Sequence, residues 1–236
     1  MKKHHLIFGL FAVLVAMVAA FITPNAEGVA FAAMVPAVGG GYLSPVKDAL
    51  WRYLTNINPE LASKAGNREL RAKDDSIYIT RKVDGDGGII EYLNSTVAKS
   101  VGTTNVDKGQ LDKDTAFAFD RIKLLYADSG GSGTDLNAII TWTTDVNGWP
   151  AALCNGELEV LQDDNVLITL PCIELGTLDL GLAFEGYVLQ NPIVLDPEKQ
   201  ITIRVKYANG LTVAGSNTEY VKVVLKGMST RRRGLV

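Results

Sequence analysis

The second half of the chain, from about Thr115 to Gly227, is a series of short segments in which apolar and polar residues alternate. In Ile201–Tyr207 the odd-numbered residues are apolar and the even-numbered ones polar. This alternation predicts strands with one face in a core and the other in solvent. The best segments are Phe117–Tyr126, Ala138–Thr143, Glu157–Leu161, Val166–Leu170, Leu178–Val188, Ile201–Tyr207 and Tyr220–Leu225. Many short strands without long helices between them predict an antiparallel β-sandwich or barrel.

The length and charge of the chain limit its architecture and its partners. Its 236 residues suit one β domain with an N-terminal extension, or two small domains. The net charge is only −3, which argues against nucleic acid or an acidic ligand as the partner of the whole surface. Cations are concentrated at the two ends of the chain. At the C-terminus, Arg231, Arg232 and Arg233 could contact nucleic acid or lipid headgroups, or could form a solvated tail.

The N-terminal segment has the form of a signal peptide or a membrane anchor. Lys2 and Lys3 precede Leu6–Ile22, an uninterrupted apolar run of 17 residues. The run is long for a signal peptide and close to the lower limit for a transmembrane helix, and Ala30–Ala32 would supply a cleavage site. As an anchor, the segment would place large apolar side chains in the bilayer, namely Leu6, Phe8, Leu10, Phe11, Leu14 and Phe21. The β domain would then lie on the far side of the membrane from the lysines.

A short amphipathic helix is predicted after this segment. Ser44 has the character of an N-cap, and Pro45 suits the first helical position. Apolar residues at three- and four-residue spacing continue to Ile57, and a second short helix is predicted from Pro59 to about Ala65. The first helix could pack on its own domain, on a membrane or on a neighbouring subunit.

These signals divide the chain into four parts. Residues 1–43 form an apolar N-terminal anchor or arm with a linker, and residues 44–72 form the amphipathic helical segment. Residues 73–229 form the β-sandwich, and residues 230–236 form a basic C-terminal tail.

Two aspartates form a weak candidate metal site. Asp84 and Asp86 lie among glycines between the predicted strands Ser76–Val83 and Ile89–Tyr92. The spacing resembles the start of a calcium loop, but the third acidic position and the closing glutamate are missing. A hairpin turn explains the same residues and is the preferred interpretation.

The two cysteines could pair across a hairpin. The dipeptide Asp163-Asp164 predicts a turn, and a three-residue turn there would set Leu161 opposite Asn165. Extending that register places Cys154 opposite Cys172 on one face, where a disulfide forms if the Cα atoms lie within about 7 Å. Two free thiols in the core are the alternative. Two cysteines are too few for a four-ligand structural zinc site.

The sequence lacks the residues of common catalytic sites. The only histidines, His4 and His5, lie in the N-terminal segment, so the β region has no imidazole for a catalytic triad or a metal site. A carboxylate pair of the glycosidase type needs no histidine, but no cluster of acids and aromatic residues suggests a sugar cleft. We expect no enzymatic activity, no cofactor and no small-molecule substrate.

Three stretches of the β region resemble the viral jelly-roll capsid family. They are Phe119–Tyr126, Asn191–Val205 and Tyr220–Gly227. A proline turn that leads into a late strand, followed by a final strand closed by Lys-Gly, is similar to the end of such a domain. The resemblance covers about half of the chain. It implies a virion protein without catalytic residues that assembles with copies of itself and with other virion proteins. The N-terminal apolar helix would suit a tailless phage with an internal membrane.

Two other classes of protein fit the same pattern. One is a bacterial membrane-anchored or secreted β-sandwich that binds a ligand or carbohydrate, in the cell envelope or outside the cell. The other is a surface-layer or filament subunit. The first alternative predicts a monomer with a removable N-terminus, whereas the capsid interpretation predicts an assembly.

Overall fold

The computed structural model describes residues 44–128, 142–178, 186–213 and 219–232. The predicted anchor Leu6–Ile22, most of the predicted strand Ala138–Thr143, and Arg233 lie outside these residues. Within them, no helix is long and apolar enough to span a membrane.

Two helices open the described part of the chain, α1 at Pro45–Asn56 and α2 at Pro59–Gly66. Ser44 Oγ accepts a hydrogen bond from the backbone N of Lys47 at 3.3 Å, so Ser44 caps α1 as predicted. Asn58 caps α2 in the same way, and both helices have proline in the first turn. The predicted pair of helices is therefore confirmed.

Eight strands follow the helices within the described residues. They are β1 at Leu70–Lys82, β2 at Ile89–Leu93, β3 at Phe117–Asp128, β4 at Glu157–Gln162, β5 at Asn165–Pro171, β6 at Tyr187–Leu195, β7 at Ile201–Lys206 and β8 at Glu219–Arg232. A short helix, α3 at Ala151–Cys154, precedes β4, and single 3₁₀ turns lie at Val146–Gly148 and Cys172–Leu175.

The strands form two four-stranded sheets. The first sheet has the order β1-β8-β3-β6 and the second β2-β7-β4-β5, and every neighbouring pair of these strands is antiparallel. The described part of the chain is therefore mainly β and antiparallel, with a short amphipathic helix, as the alternation predicted.

The two sheets share one hydrophobic core. In β7, Ile201, Ile203 and Val205 are buried, while the residues between them are half-buried. The first sheet contributes Ile77, Ile79, Phe117, Phe119, Ile122, Leu124, Val221, Val223 and Leu225. Full burial of one such side chain contributes about 1.5–3 kcal/mol, so the alternating faces provide the main stabilisation of the fold.

A second, smaller core lies between the helices and the outer face of the first sheet. Leu50 and Leu54 of α1 and Leu61 of α2 are buried against Ala116, Ala118 and Leu70. The alanines of this sheet face let the helix approach closely. The first helix therefore packs on its own domain, which settles one of the alternatives left open by the sequence.

Two strands of the first sheet extend beyond the limits that the sequence predicted: β1 begins earlier and β8 ends later. Strand β1 begins at Leu70, inside the predicted helical segment 44–72, because Leu70 and Ala72 pack beneath the helices. Strand β8 continues to Arg232, so the predicted tail 230–236 is wrong for its first three residues. Thr230 is buried and its hydroxyl donates to Asp114 O at 2.8 Å, which fixes that end of the strand.

The predicted hairpin at Asp84–Gly88 is wrong. β1 pairs with β8 in the first sheet, whereas β2 pairs with β7 in the second, so this segment carries the chain from one sheet to the other. Gly85 and Gly88 have φ of 75° and 73°, values that favour glycine and allow the sharp change of direction.

Candidate assembly edge

Among the described strands, each sheet has two at its edges, and the backbone groups of an edge strand can hydrogen-bond to another chain. The edge of β1 is covered by a loop of its own domain. Thr80 N donates to Thr103 O at 2.7 Å, Tyr78 N donates to Asn105 Oδ1 at 3.0 Å, and Asn105 Nδ2 donates to Ser76 O at 2.6 Å. These hydrogen bonds already occupy the backbone groups of β1 with which a strand of another chain would pair.

The edges of β6 and β2 are also protected. Pro192 lies within β6 and has no backbone N–H to offer to a neighbouring strand. Strand β2 is only five residues long and carries Glu91. Short, charged or proline-containing edges resist pairing with other chains.

Strand β5 is less protected, because it carries no charge and its one proline, Pro171, is its last residue. Its sequence, Asn165–Pro171, contains no charged residue and is rich in apolar residues that favour strands. Among the described residues, the backbone bonds of β5 all go to β4, so its other edge faces outward. An uncharged edge of this kind is a template for pairing with another chain.

Apolar side chains are exposed along the same edge. Val166 is 50% exposed and Leu167 36%, and Ile173, just beyond the strand, is 47% exposed. A register shift leaves Leu167 as an extra residue in β5. We call the outer edge of β5, with Val166, Leu167 and Ile173, the assembly edge.

A buried carboxylate holds β5 and its neighbours together. Glu159 of β4 accepts hydrogen bonds from Arg204 Nε at 2.6 Å, from Lys206 Nζ at 2.5 Å and from Thr169 Oγ1 of β5 at 3.3 Å. Burial alone would raise the pKa of Glu159, but the bonds from Lys206 and Arg204 outweigh it and lower the pKa. The assembly edge therefore stands on a strand fixed by charge-assisted hydrogen bonds.

The candidate metal residues do not form a metal site in this structure. Asp84 Oδ2 lies 3.3 Å from Lys82 Nζ, and Asp86 Oδ2 lies 3.5 Å from Arg81 Nε. The described residues contain no group of three or more side chains that could hold a metal ion. Burial raises the pKa of Asp86, in spite of the opposing effect of Arg81.

The cysteines are free thiols in this structure. The turn between β4 and β5 has two residues, with Gln162 opposite Asn165, and the register shift then sets Leu158 opposite Leu170. The predicted register is therefore wrong by two residues. Cys154 ends α3 rather than extending β4, and Cys172 begins a 3₁₀ turn, so the two do not meet as a cross-strand pair.

The C-terminal arginines belong to the sheet. Arg231 Nη2 lies 2.8 Å from Asp75 Oδ2, and Arg232 Nε lies 2.6 Å from Asp114 Oδ2. Their side chains remain 45% and 76% exposed. Two of the three predicted phosphate-binding arginines thus already have carboxylate partners.

The chain was compared with known proteins at three levels. No protein-family model matches it, no curated protein matches it, and no solved structure matches it. The assignment of a function therefore depends on the geometry of the domain.

Sequence reasoning did not identify the assembly edge. The signal was present, because Asn165–Pro171 is a strand without charge. Whether this strand lies at an edge depends on the order of the strands in the sheet. That order is set by pairing between residues that are far apart in the chain.

Proposed function

We propose that this chain is a capsid protein of a virion, whose domain is a jelly roll that assembles with copies of itself and with other virion proteins. The observation that carries the proposal is the pairing of the strands. β1 pairs with β8, β2 with β7, β3 with β6 and β4 with β5. Four antiparallel pairs nested in this way and folded into two four-stranded sheets are what a jelly roll requires.

The assembly edge favours a role in assembly over the other functions that jelly rolls have. Jelly rolls occur in viral capsids and in lectin and cupin domains, so the fold alone does not decide the function. An uncharged edge strand with exposed apolar side chains would be a liability in a freely soluble monomer. In a shell, the same edge becomes a contact between subunits, and no catalytic residue is needed.

The N-terminal segment supports attachment of the subunit to a membrane or a neighbour. The apolar run Leu6–Ile22 is long enough to approach the width of a bilayer. We propose that it holds the subunit to an internal membrane of the virion or to an adjacent subunit.

A substitution at the assembly edge tests the proposal. The full-length chain and the variant Val166→Lys would be compared by sedimentation velocity and electron microscopy. Val101→Lys is the matched control, because Val101 is 98% exposed and lies outside the strands. We expect the wild type and Val101→Lys to form the same large particles, and Val166→Lys to reduce the assembled fraction at least about tenfold, because a charge at the edge disfavours pairing.

Circular dichroism and thermal unfolding would show that both variants are folded. If Val166→Lys and the wild type assemble equally, the assembly edge is not a contact between subunits. A wild-type chain that stays monomeric would instead favour the secreted or envelope β-sandwich.

A further inference from the structure

We infer that Asn209 is a modification site, at which the chain deamidates spontaneously to aspartate or isoaspartate. The sequence contains three Asn-Gly dipeptides, which begin at Asn147, Asn155 and Asn209. All three asparagines are exposed, so access of solvent does not distinguish them. The hydrogen bonds around them do, and they leave the third dipeptide ready to react. The inference does not depend on the proposed function, because it concerns a turn rather than an edge and needs no partner.

Deamidation requires an available backbone nitrogen directly after an asparagine. That nitrogen loses its proton and attacks the side-chain carbonyl carbon, Cγ. The new Cγ–N bond closes a cyclic imide, the bond from Cγ to Nδ2 breaks, and the amide nitrogen leaves with the proton as ammonia. Water then opens the imide at either carbonyl, which gives aspartate or isoaspartate, and nothing is oxidised or reduced. Glycine is the most favourable following residue, because it has no Cβ to hinder rotation or attack.

The first dipeptide, Asn147-Gly148, is held in a 3₁₀ turn. Gly148 N donates to Asp145 O at 3.2 Å, and Asn147 Nδ2 donates to Asp145 Oδ1 at 2.9 Å. The attacking nitrogen and the leaving amide therefore both have partners. The reaction at this site must first break these hydrogen bonds.

The second dipeptide, Asn155-Gly156, is held at the end of α3. Gly156 N donates to Leu153 O at 3.0 Å, and Asn155 Nδ2 donates to Ala151 O at 2.8 Å. Gly156 is also buried, and a Cβ at its position would lie 3.1 Å from Lys206 O. The surrounding backbone thus leaves little room for the rotation that brings the nitrogen to Cγ.

The third dipeptide, Asn209-Gly210, lies at the two central positions of a β-turn after β7. Leu211 N donates to Ala208 O at 3.0 Å and closes this turn. Within the described part of the chain, neither Gly210 N nor the side chain of Asn209 has a hydrogen-bond partner. Gly210 is exposed, and no heavy atom lies within 4 Å of its Cβ position. The nitrogen can therefore reach Cγ without the loss of a hydrogen bond of its own and without obstruction.

The modification changes this turn in two ways. It replaces a neutral amide with a carboxylate, and isoaspartate adds one methylene to the backbone. The turn follows β7 of the second sheet and precedes β8 of the first, so the added atom lengthens a connection between the sheets. In the second sheet, β4 separates β7 from β5. The assembly edge therefore keeps its structure after deamidation.

The experiment follows all three asparagines in the same full-length protein. One sample is incubated folded in warm, mildly alkaline buffer, and a second is incubated in the same buffer with denaturing urea. Peptides from a proteolytic digest are then analysed by mass spectrometry with electron-transfer fragmentation, which distinguishes aspartate from isoaspartate. The variants Asn209→Gln and, as the matched control, Asn147→Gln are incubated folded and analysed by anion exchange. Circular dichroism would show that both variants are folded.

We expect Asn209 in the folded protein to deamidate at least about fivefold faster than Asn147 or Asn155. This factor corresponds to about 1 kcal/mol, the net value of one hydrogen bond that the slower sites must break. In urea the three rates should converge, because the fold no longer holds any of the dipeptides. Asn209→Gln should remove the main acidic form seen on anion exchange, whereas Asn147→Gln should retain it.

Three results would overturn the inference. They are no deamidation of Asn209 in the folded protein, a rate at Asn147 or Asn155 that equals or exceeds the rate at Asn209, and the same ratio of rates in urea as in the folded protein. The last result would show that the neighbouring residues, rather than the fold, determine the order of reaction. Because the readout is a modified peptide and not a particle, either outcome leaves the assembly proposal to its own test.

Discussion

Arg232, at the end of β8, donates from Nε to Asp114 Oδ2 at 2.6 Å, and Lys64 of α2 donates to the other carboxylate oxygen at 2.7 Å. One buried carboxylate thus joins the final strand to the second helix. The hydrogen bond from Lys64, with the further bond from Arg232, holds the pKa of Asp114 below its usual range.

Replacing this carboxylate should loosen the helices from the sheet. Asp114→Asn keeps the size of the side chain but removes the anion between Lys64 and Arg232, so that Lys64 retains only its exposed partner Glu60. We expect the free energy of unfolding in urea to fall by about 1 kcal/mol, a modest value because solvent screens the largely exposed Arg232. Asp48→Asn, which breaks the exposed pair with Arg52, is the control and should cost about 0.3 kcal/mol. Equal losses for the two variants would contradict this role.

Acid should destabilise the domain. The pKa of Glu159 is lowered by Lys206 and Arg204 in spite of burial, and that of Asp75 is lowered by β8 side chains in spite of burial. A carboxylate with a lower pKa in the folded state contributes stability above its unfolded pKa and loses it as pH falls through the folded value. We expect the thermal midpoint to be constant near neutral pH and to fall below about pH 4.

The variant Glu159→Gln provides the control for this pH dependence. It should cost about 1–2 kcal/mol at neutral pH and flatten the loss of stability in acid, because it has no proton to gain. The raised pKa of Asp86 acts in the opposite direction, since it favours folding at low pH and loses that contribution as pH rises. A midpoint that increases on acidification would show that Asp86 outweighs the lowered carboxylates.

The two thiols should be unreactive while the protein is folded. Burial raises the pKa of Cys172 to about 12, and burial also raises the pKa of Cys154. The thiolate is the reactive form, so a disulfide-exchange reagent at about pH 7.5 should label both far more slowly than a free cysteine. After denaturation without reductant, both thiols should react. A denatured, unreduced chain with no free thiol would demonstrate the disulfide that the sequence left open.

Gly227 should tolerate no side chain. A Cβ at this position would lie 1.9 Å from Ala118 O and 2.6 Å from Phe119 Cα, both of them backbone atoms of β3. We expect Gly227→Ala to cost about 3 kcal/mol or more in urea unfolding. Gly148→Ala is the control, because no heavy atom lies within 4 Å of its Cβ position. A harmless Gly227→Ala would mean that β3 and β8 are farther apart than described.

Local signals predicted the elements that local chemistry controls. The alternation in Ile201–Lys206 gave β7, and the pair Ser44-Pro45 gave the start of α1. Other features depend on distant partners. Strand β8 continues through Arg231 and Arg232 because Asp75 and Asp114 receive them, and those carboxylates lie more than a hundred residues earlier in the chain.

The alternation of apolar and polar residues does not predict strand register or strand order. The extra residue Leu167 shifts the pairing of β4 and β5, yet an apolar residue there looks the same with or without the shift. Arg121 and Lys226 likewise become neighbours only when β3 and β8 pair, which the alternation pattern does not show.

The central claim is that this chain builds a shell. The most direct test is electron microscopy of the native protein, with the intact mass measured on the same sample. We predict closed particles that contain the full-length chain, including the apolar segment Leu6–Ile22. A monomeric protein whose N-terminus begins near Ala33 would contradict it.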